Sequence, residues 1–79
     1  MSDDHSPIGR TGTVVTATRG EQGPGEVTFS IRGATETYVA ISSVPLAVGE
    51  QVVCLEDRGG RLVVVDRLDR SWNPLNLPG

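Results

Sequence analysis

One segment constrains this chain more than any other. Glu26 to Arg32 reads EVTFSIR, with Val27, Phe29 and Ile31 alternating strictly against Glu26, Thr28, Ser30 and Arg32. A two-residue period puts the apolar side chains on one face of an extended segment, as in a half-buried antiparallel strand. No stretch with the helical period reaches about ten residues anywhere in the sequence. Short β-branched runs separated by Gly- and Pro-rich breaks take its place, so the chain reads as all-β.

The other strands follow from the same texture. Arg10 to Arg19 (RTGTVVTATR) has strand composition, and Gly20 to Gly25 (GEQGPG) is a loop. After EVTFSIR, the break Gly33-Ala34 leads into Thr35 to Ser42, and the two strands form a hairpin. Ser43 to Gly49 is too short for a good helix, and Leu46 and Val48 are placed to cap an open end of the core. Glu50 to Asp57 and Arg61 to Asp66 flank the turn Arg58-Gly59-Gly60. Both are almost continuously apolar, as in strands covered on both faces of a small closed barrel. Met1 to Ile8 is polar and acidic and reads as a disordered arm. Asp66 onward begins like a helical turn that Pro74 and Pro78 break, so residues 69–79 read as a partly ordered tail. The expected domain is a five-stranded OB-like β-barrel over residues 9–68.

Composition excludes several functions. Seventy-nine residues make one small domain, with little room for a deep enzymatic cleft beside a core. Ten acids outweigh seven Arg, with no Lys, for a net charge of −3. That lacks the basic footprint of a nucleic-acid binder. No apolar run approaches the roughly 20 residues that a membrane-spanning helix needs. The N-terminus has acids before any base and no apolar run, so it is not a secretory signal. A single cysteine, Cys54, allows no intrachain disulfide and fits a reducing, cytoplasmic compartment.

The chemistry-bearing residues are sparse. His5 is the one histidine and sits in the acidic arm. With one Cys it cannot close a tetrahedral zinc site without carboxylates, so no metal or other cofactor is expected. Ser30, Ser42, Ser43 and Ser71 lack a second histidine to activate them as nucleophiles. Cys54 lies in an apolar strand and reads as core. The Gly20–Gly25 loop runs into a strand instead of a helix N-terminus, so it does not cradle phosphate. The arginines lie at strand ends with acids beside them, such as Glu56-Asp57 against Arg58 and Arg61. They read as a balanced solvated surface.

Three aromatics remain. Phe29 shares the apolar face of its strand and belongs to the core. Tyr38 reads as facing outward. Trp72 lies in the tail near Leu75 and Leu77, where it either covers a barrel end or anchors a partner. Tyr38 and Trp72 are the candidate interaction residues, and no catalytic residue is expected.

The order of these pieces resembles a known family. Gly9-Arg10-Thr11-Gly12-Thr13-Val14-Val15-Thr16 opens it, followed by a Gly-rich loop and Glu26-Val27-Thr28-Phe29. Tyr38-Val39-Ala40, Pro45 to Val53 and Gly60-Arg61-Leu62-Val63-Val64 complete it. This is similar to the C-terminal soluble domain of the NfeD family, over about Ile8 to Leu68. The resemblance implies an OB-like barrel that usually follows transmembrane helices, with a serine-protease domain in longer members, and an association with stomatin- and flotillin-type membrane scaffold proteins. Neither membrane helices nor protease segment occurs in these 79 residues, so no catalytic residue carries over. The expected function is a non-catalytic protein-interaction module that is cytoplasmic, peripheral at the membrane through its partner, and supports a scaffold or protease complex. Unpaired barrel edges leave room for an oligomer. The alternative is a single-stranded nucleic-acid-binding OB module, with Tyr38 as a stacking residue.

Overall fold

A computed structural model of the chain describes residues 6–68. Within them the two-residue period becomes β1 (Thr11–Thr16), β2 (Thr18–Arg19), β3 (Gly25–Ile31), β4 (Ala34–Ile41), β5 (Pro45–Leu46), β6 (Gln51–Asp57) and β7 (Leu62–Arg67). One 3-10 turn, Gly20–Gln22, precedes β3. The five longer strands close into a barrel in the order β1-β3-β4-β7-β6, with β6 returning to β1. All pairings in the barrel are antiparallel except β4 with β7, which run parallel. The expected strands and the OB-like closure are therefore both present.

The core follows the alternation. Val27, Phe29 and Ile31 of β3 point inward beside Val14, Ala40, Val52, Cys54, Val63 and Val65, all buried. Phe29 is the largest of them and lies across the barrel floor against Gly12, its cross-strand partner. A Cβ at Gly12 would sit 2.8 Å from two carbons of the Phe29 ring and 2.5 Å from the Thr28 carbonyl oxygen. Glycine there is what lets the ring lie flat against the neighbouring strand.

β2 and β5 form a separate two-stranded clasp, Thr18 opposite Leu46 and Arg19 opposite Pro45. The clasp seats Leu46, 1% exposed, over one end of the core. Thr18 pins it from a buried position: its hydroxyl donates to the Val44 carbonyl at 3.1 Å and accepts from the Leu46 amide at 2.9 Å. One short segment thus performs the capping that a helix performs in larger OB barrels. Val48, expected to share that task, is 65% exposed; Gly49 and the turn before β6 carry it away from the core.

The structure corrects three further expectations. The last strands are covered on one face only. Val53 and Val64 are half-buried on the outside and Leu55 is exposed, whereas Val52, Cys54, Val63 and Val65 are buried inside. Leu55 follows the alternation that puts Val52 and Cys54 inside, and the pairing register shifts between Cys54 and Glu56. The first strand is not continuous from residue 10 to 19: pairing shifts between Val14 and Thr16, and β2 then leaves the barrel for the clasp. β7 keeps its pairing through Arg67, where a helical turn from Asp66 was expected. Where the expected arm, residues 1–8, reaches the barrel, its last residues pack against it. Pro7 is buried, its carbonyl accepts from the Arg10 amide at 2.9 Å, and the Gly9 amide donates to Cys54 at 2.8 Å.

Candidate functional site

The hairpin between β3 and β4 turns on Arg32 and Gly33, both at positive φ (52° and 84°). Ile31 and Ala34 pair directly across them. This is the two-residue turn whose twist matches that of the strands, and it needs left-handed backbone at both positions. Glycine adopts that conformation freely, whereas Arg32 does so against its preference.

The hairpin projects past the rest of the barrel. Beside it, the turn from β6 to β7 ends at Arg61, the one other non-glycine residue at positive φ (62°) among the described residues. Between the two turns lies a cleft of about 410 Å³ lined by Ile31, Arg32, Ala34, Glu36, Tyr38 and Arg61.

Tyr38 sits at the centre of this cleft. It lies on the same side of β4 as Ala40 and is half-buried, where outward exposure was expected; Val39 is the residue that points out. Its ring meets Phe29 edge-on, with centroids 5.6 Å apart and planes at 77°. The Arg61 guanidinium lies over its face at 5.3 Å from the centroid, a cation–π geometry. Arg61 also holds Glu36 at 2.6 Å through Nη2 and donates through Nη1 to the Thr37 carbonyl at 3.2 Å. The hydrogen bond to Glu36 holds the Arg61 guanidinium above its already high range. Both side chains are substantially exposed, so the pair contributes little to stability. Its effect is to fix the orientation of the cleft's rim.

Sequence reasoning named Tyr38 but not Arg61 or Glu36. Arg61 was matched with Glu56 and Asp57, which are near it in sequence. Glu56 instead pairs with Arg58 at 3.1 Å, and Arg61 reaches across the barrel seam to β4. Only the parallel pairing of β4 with β7 brings Tyr38 and Arg61 together, and no local pattern announces that pairing. Trp72 and His5 lie outside the described residues.

The remaining candidates are placed as follows. Cys54 is buried in the core, and burial pushes its thiol above the usual range, away from reactive thiolate. Among the described residues no cluster of three or more His, Cys, Asp or Glu is arranged to hold a metal. Nor is any helix of the described residues long and apolar enough to cross a membrane. A second, more apolar groove of about 390 Å³ runs between the 3-10 turn and the outer face of the β4–β7 seam, at Pro24, Ile41 and Leu62.

A closed barrel of five strands in this order is an OB-like β-barrel. Residues 11–66 match the family model for the NfeD C-terminal domain, and the chain belongs to that family. Solved structures agree. The soluble domain of the NfeD protein YuaF from Bacillus subtilis is 28% identical, with a TM-score of 0.64 over 75% of this chain and 70% of that one. The C-terminal domain of the stomatin operon partner protein 1510-C from Pyrococcus horikoshii is 26% identical, with a TM-score of 0.59 over 89% and 100%. A third is the soluble domain of a Corynebacterium glutamicum membrane protein implicated in regulation of membrane protease activity. It shares the fold at 18% identity, with a TM-score of 0.54 over 82% and 97%. No curated protein sequence matches the chain.

Proposed function

We propose that this chain is a non-catalytic protein-interaction module that docks a stomatin- or flotillin-type membrane protein, and so sits at the membrane periphery through that partner. The observation that carries the reading is the likeness to the stomatin operon partner's C-terminal domain, which spans the whole of that domain. The cleft at Tyr38 and Arg61 supports it. A half-buried aromatic beside an oriented arginine is the composition of a protein-binding hot spot.

The nucleic-acid reading rests on fold analogy, and its stacking candidate is weakened by the same geometry. Stacking a base needs an open ring face, and Arg61 takes one face of the half-buried Tyr38. Phe29, the other aromatic among the described residues, is 1% exposed.

The test is a binding titration of the full chain against the purified stomatin-type protein of its own host, with a labelled dT20 strand at low salt as the control. Saturable binding to the first, weakened at least about tenfold by Tyr38→Ala or Arg61→Ala, supports the reading. Tight, steeply salt-dependent binding to dT20 with none to the stomatin-type protein would refute it.

A further inference from the structure

The outside of the barrel has two textures. On β1 and β3 the outward positions are Thr11, Thr13, Val15, Glu26, Thr28 and Ser30, polar with one exception. Where β4, β7 and β6 run side by side they are Val39 and Ile41, Leu62 and Val64, and Val53 and Leu55. Gln51 and Asp66 follow towards the end of β7. Val39 pairs with Leu62 and Ile41 with Val64, and Leu55 lies in the register shift beside Val64. These side chains form one apolar patch with β7 at its middle. All are half-buried or exposed, Leu55 at 55%. A patch of this kind on a small barrel marks a contact surface. The 390 Å³ groove at Pro24, Ile41 and Leu62 lies at one end of it.

The chain leaves β7 at the other end. The Leu68 amide donates to the Gln51 carbonyl at 2.9 Å, and residues 69–79, DRSWNPLNLPG, come next. After Asp69 and Arg70 this segment carries no charge, and its large apolar side chains are Trp72, Leu75 and Leu77. Leu62 lies six residues back along β7 from Leu68, about 20 Å at strand rise. Residues 69–79 can span up to ~37 Å, enough to recross the whole patch.

We propose that residues 69–79 fold back over this patch, so that the chain itself occupies the outer face of β4, β7 and β6. Trp72, within ~14 Å of Leu68, lies over Val53 and Val64. Leu75 and Leu77, within ~24 and ~31 Å, reach Leu62 and the groove. Asn73 and Leu77 precede prolines, which favours extended backbone, and an extended 75–77 sets both leucines on one side. Pro74 and Pro78 bring no N–H to leave unpaired against an apolar wall. Tethering favours this occupant over a second copy or a free partner segment, because a short linker holds it at an effective concentration of about millimolar. The apolar runs of β6 and β7 then have cover on both sides. The cleft at Tyr38 and Arg61 shares none of these wall residues, so the proposal does not rest on the partner reading.

Trp72 is the one tryptophan of the sequence, so its fluorescence reads the contact directly. In the full chain its emission should lie to the blue of that in urea, and acrylamide should quench it less. In isotope-labelled full chain, NOEs should join the Trp72 ring to the Val53 and Val64 methyls, and Leu75 or Leu77 methyls to Ile41 or Leu62. Val53→Gln with Val64→Gln, at outward positions, should shift the emission to the red and raise the quenching while the β3 amide shifts hold. If that pair does not fold, Val53→Thr makes the same test. Trp72→Ser should lower Tm by about 10 °C, the scale of losing one large buried side chain in a domain of this size. Quenching equal to that of the unfolded chain, or unchanged by the wall substitutions, would overturn the proposal. So would NOEs from Trp72 to Leu46 or Val48 at the barrel end, or protection that grows with protein concentration. Protection that arises only on adding the stomatin-type protein would overturn it too, and would make Trp72 an anchor for that partner.

Discussion

Phe29→Ala is the sharpest test of how the barrel is held. Phe29 is 1% exposed, packs edge-on against Tyr38 and lies over Gly12, where there is no side chain to move into the space it leaves. The opposite wall of the vacated volume is backbone, which collapses poorly. Replacing a buried Phe by Ala costs about 3–5 kcal/mol, and the lost aromatic pair places this site towards the upper half of that range. For residues 6–68, stability of ~0.05–0.15 kcal/mol per residue amounts to roughly 3–9 kcal/mol in total. One substitution therefore removes about half or more of it. Unfolding entropy at this size converts ~4 kcal/mol into a drop of roughly 30 °C in Tm. Phe29→Leu keeps most of the volume and should lose only about a third as much. The assay is thermal and urea unfolding followed by circular dichroism. A Phe29→Ala chain melting within about 5 °C of the parent would refute the claim that this ring organises the core.

Three other outcomes are expected. Thr18→Val leaves the buried Leu46 amide and Val44 carbonyl without their hydroxyl, and should cost about 1–3 kcal/mol in urea titrations, while Thr18→Ser costs less. Arg32→Asn puts the residue best suited to left-handed backbone into the hairpin turn, and should raise stability by up to about 1 kcal/mol, seen as a higher Tm. Glu50 accepts from the Ala47 amide at 2.8 Å and from Arg67 at 2.8 Å, and these bonds hold its carboxyl below the usual range. A lowered pKa in the folded state gives stability that is full above the unfolded value near ~4.3 and is lost as pH falls through the folded value. The Tm gap between the parent and Glu50→Gln should therefore be present at neutral pH and close below about pH 4; a gap independent of pH would contradict this.

Much of the fold is written locally. The alternation of Val27, Phe29 and Ile31 and the Gly59-Gly60 turn are each decided by neighbouring residues, and the structure keeps them. Leu46 was only half readable, because the segment offers Leu46 and Val48 alike and the structure buries the first and exposes the second. Three things were not readable. The outer faces of β6 and β7 are apolar like the inner ones, so a run such as Val63-Val64-Val65 does not tell one covered face from two. Thr18 looks like one Thr among four in its segment, and its burial depends on a clasp with residues 26 to 28 positions away. The facing of Tyr38 depends on register, since one residue of slip exchanges it with Val39. The Tyr38–Arg61–Glu36 cleft was the least legible part, because it exists only once the two hairpins stand side by side.

The parallel contact between β4 and β7 has a consequence for how the molecule moves. It consists of three residue pairs, against seven in the β3–β4 hairpin. The β1–β6 joint is equally narrow, with three pairs, and a cylinder of this kind breathes at its narrow joints before its long hairpin. Amide exchange should then be faster at Ile41 and Val63 than at Val27. Each opening of the β4–β7 joint would swing Arg61 off Tyr38 and Glu36, so this narrow seam of the wall doubles as the hinge of the cleft beside it.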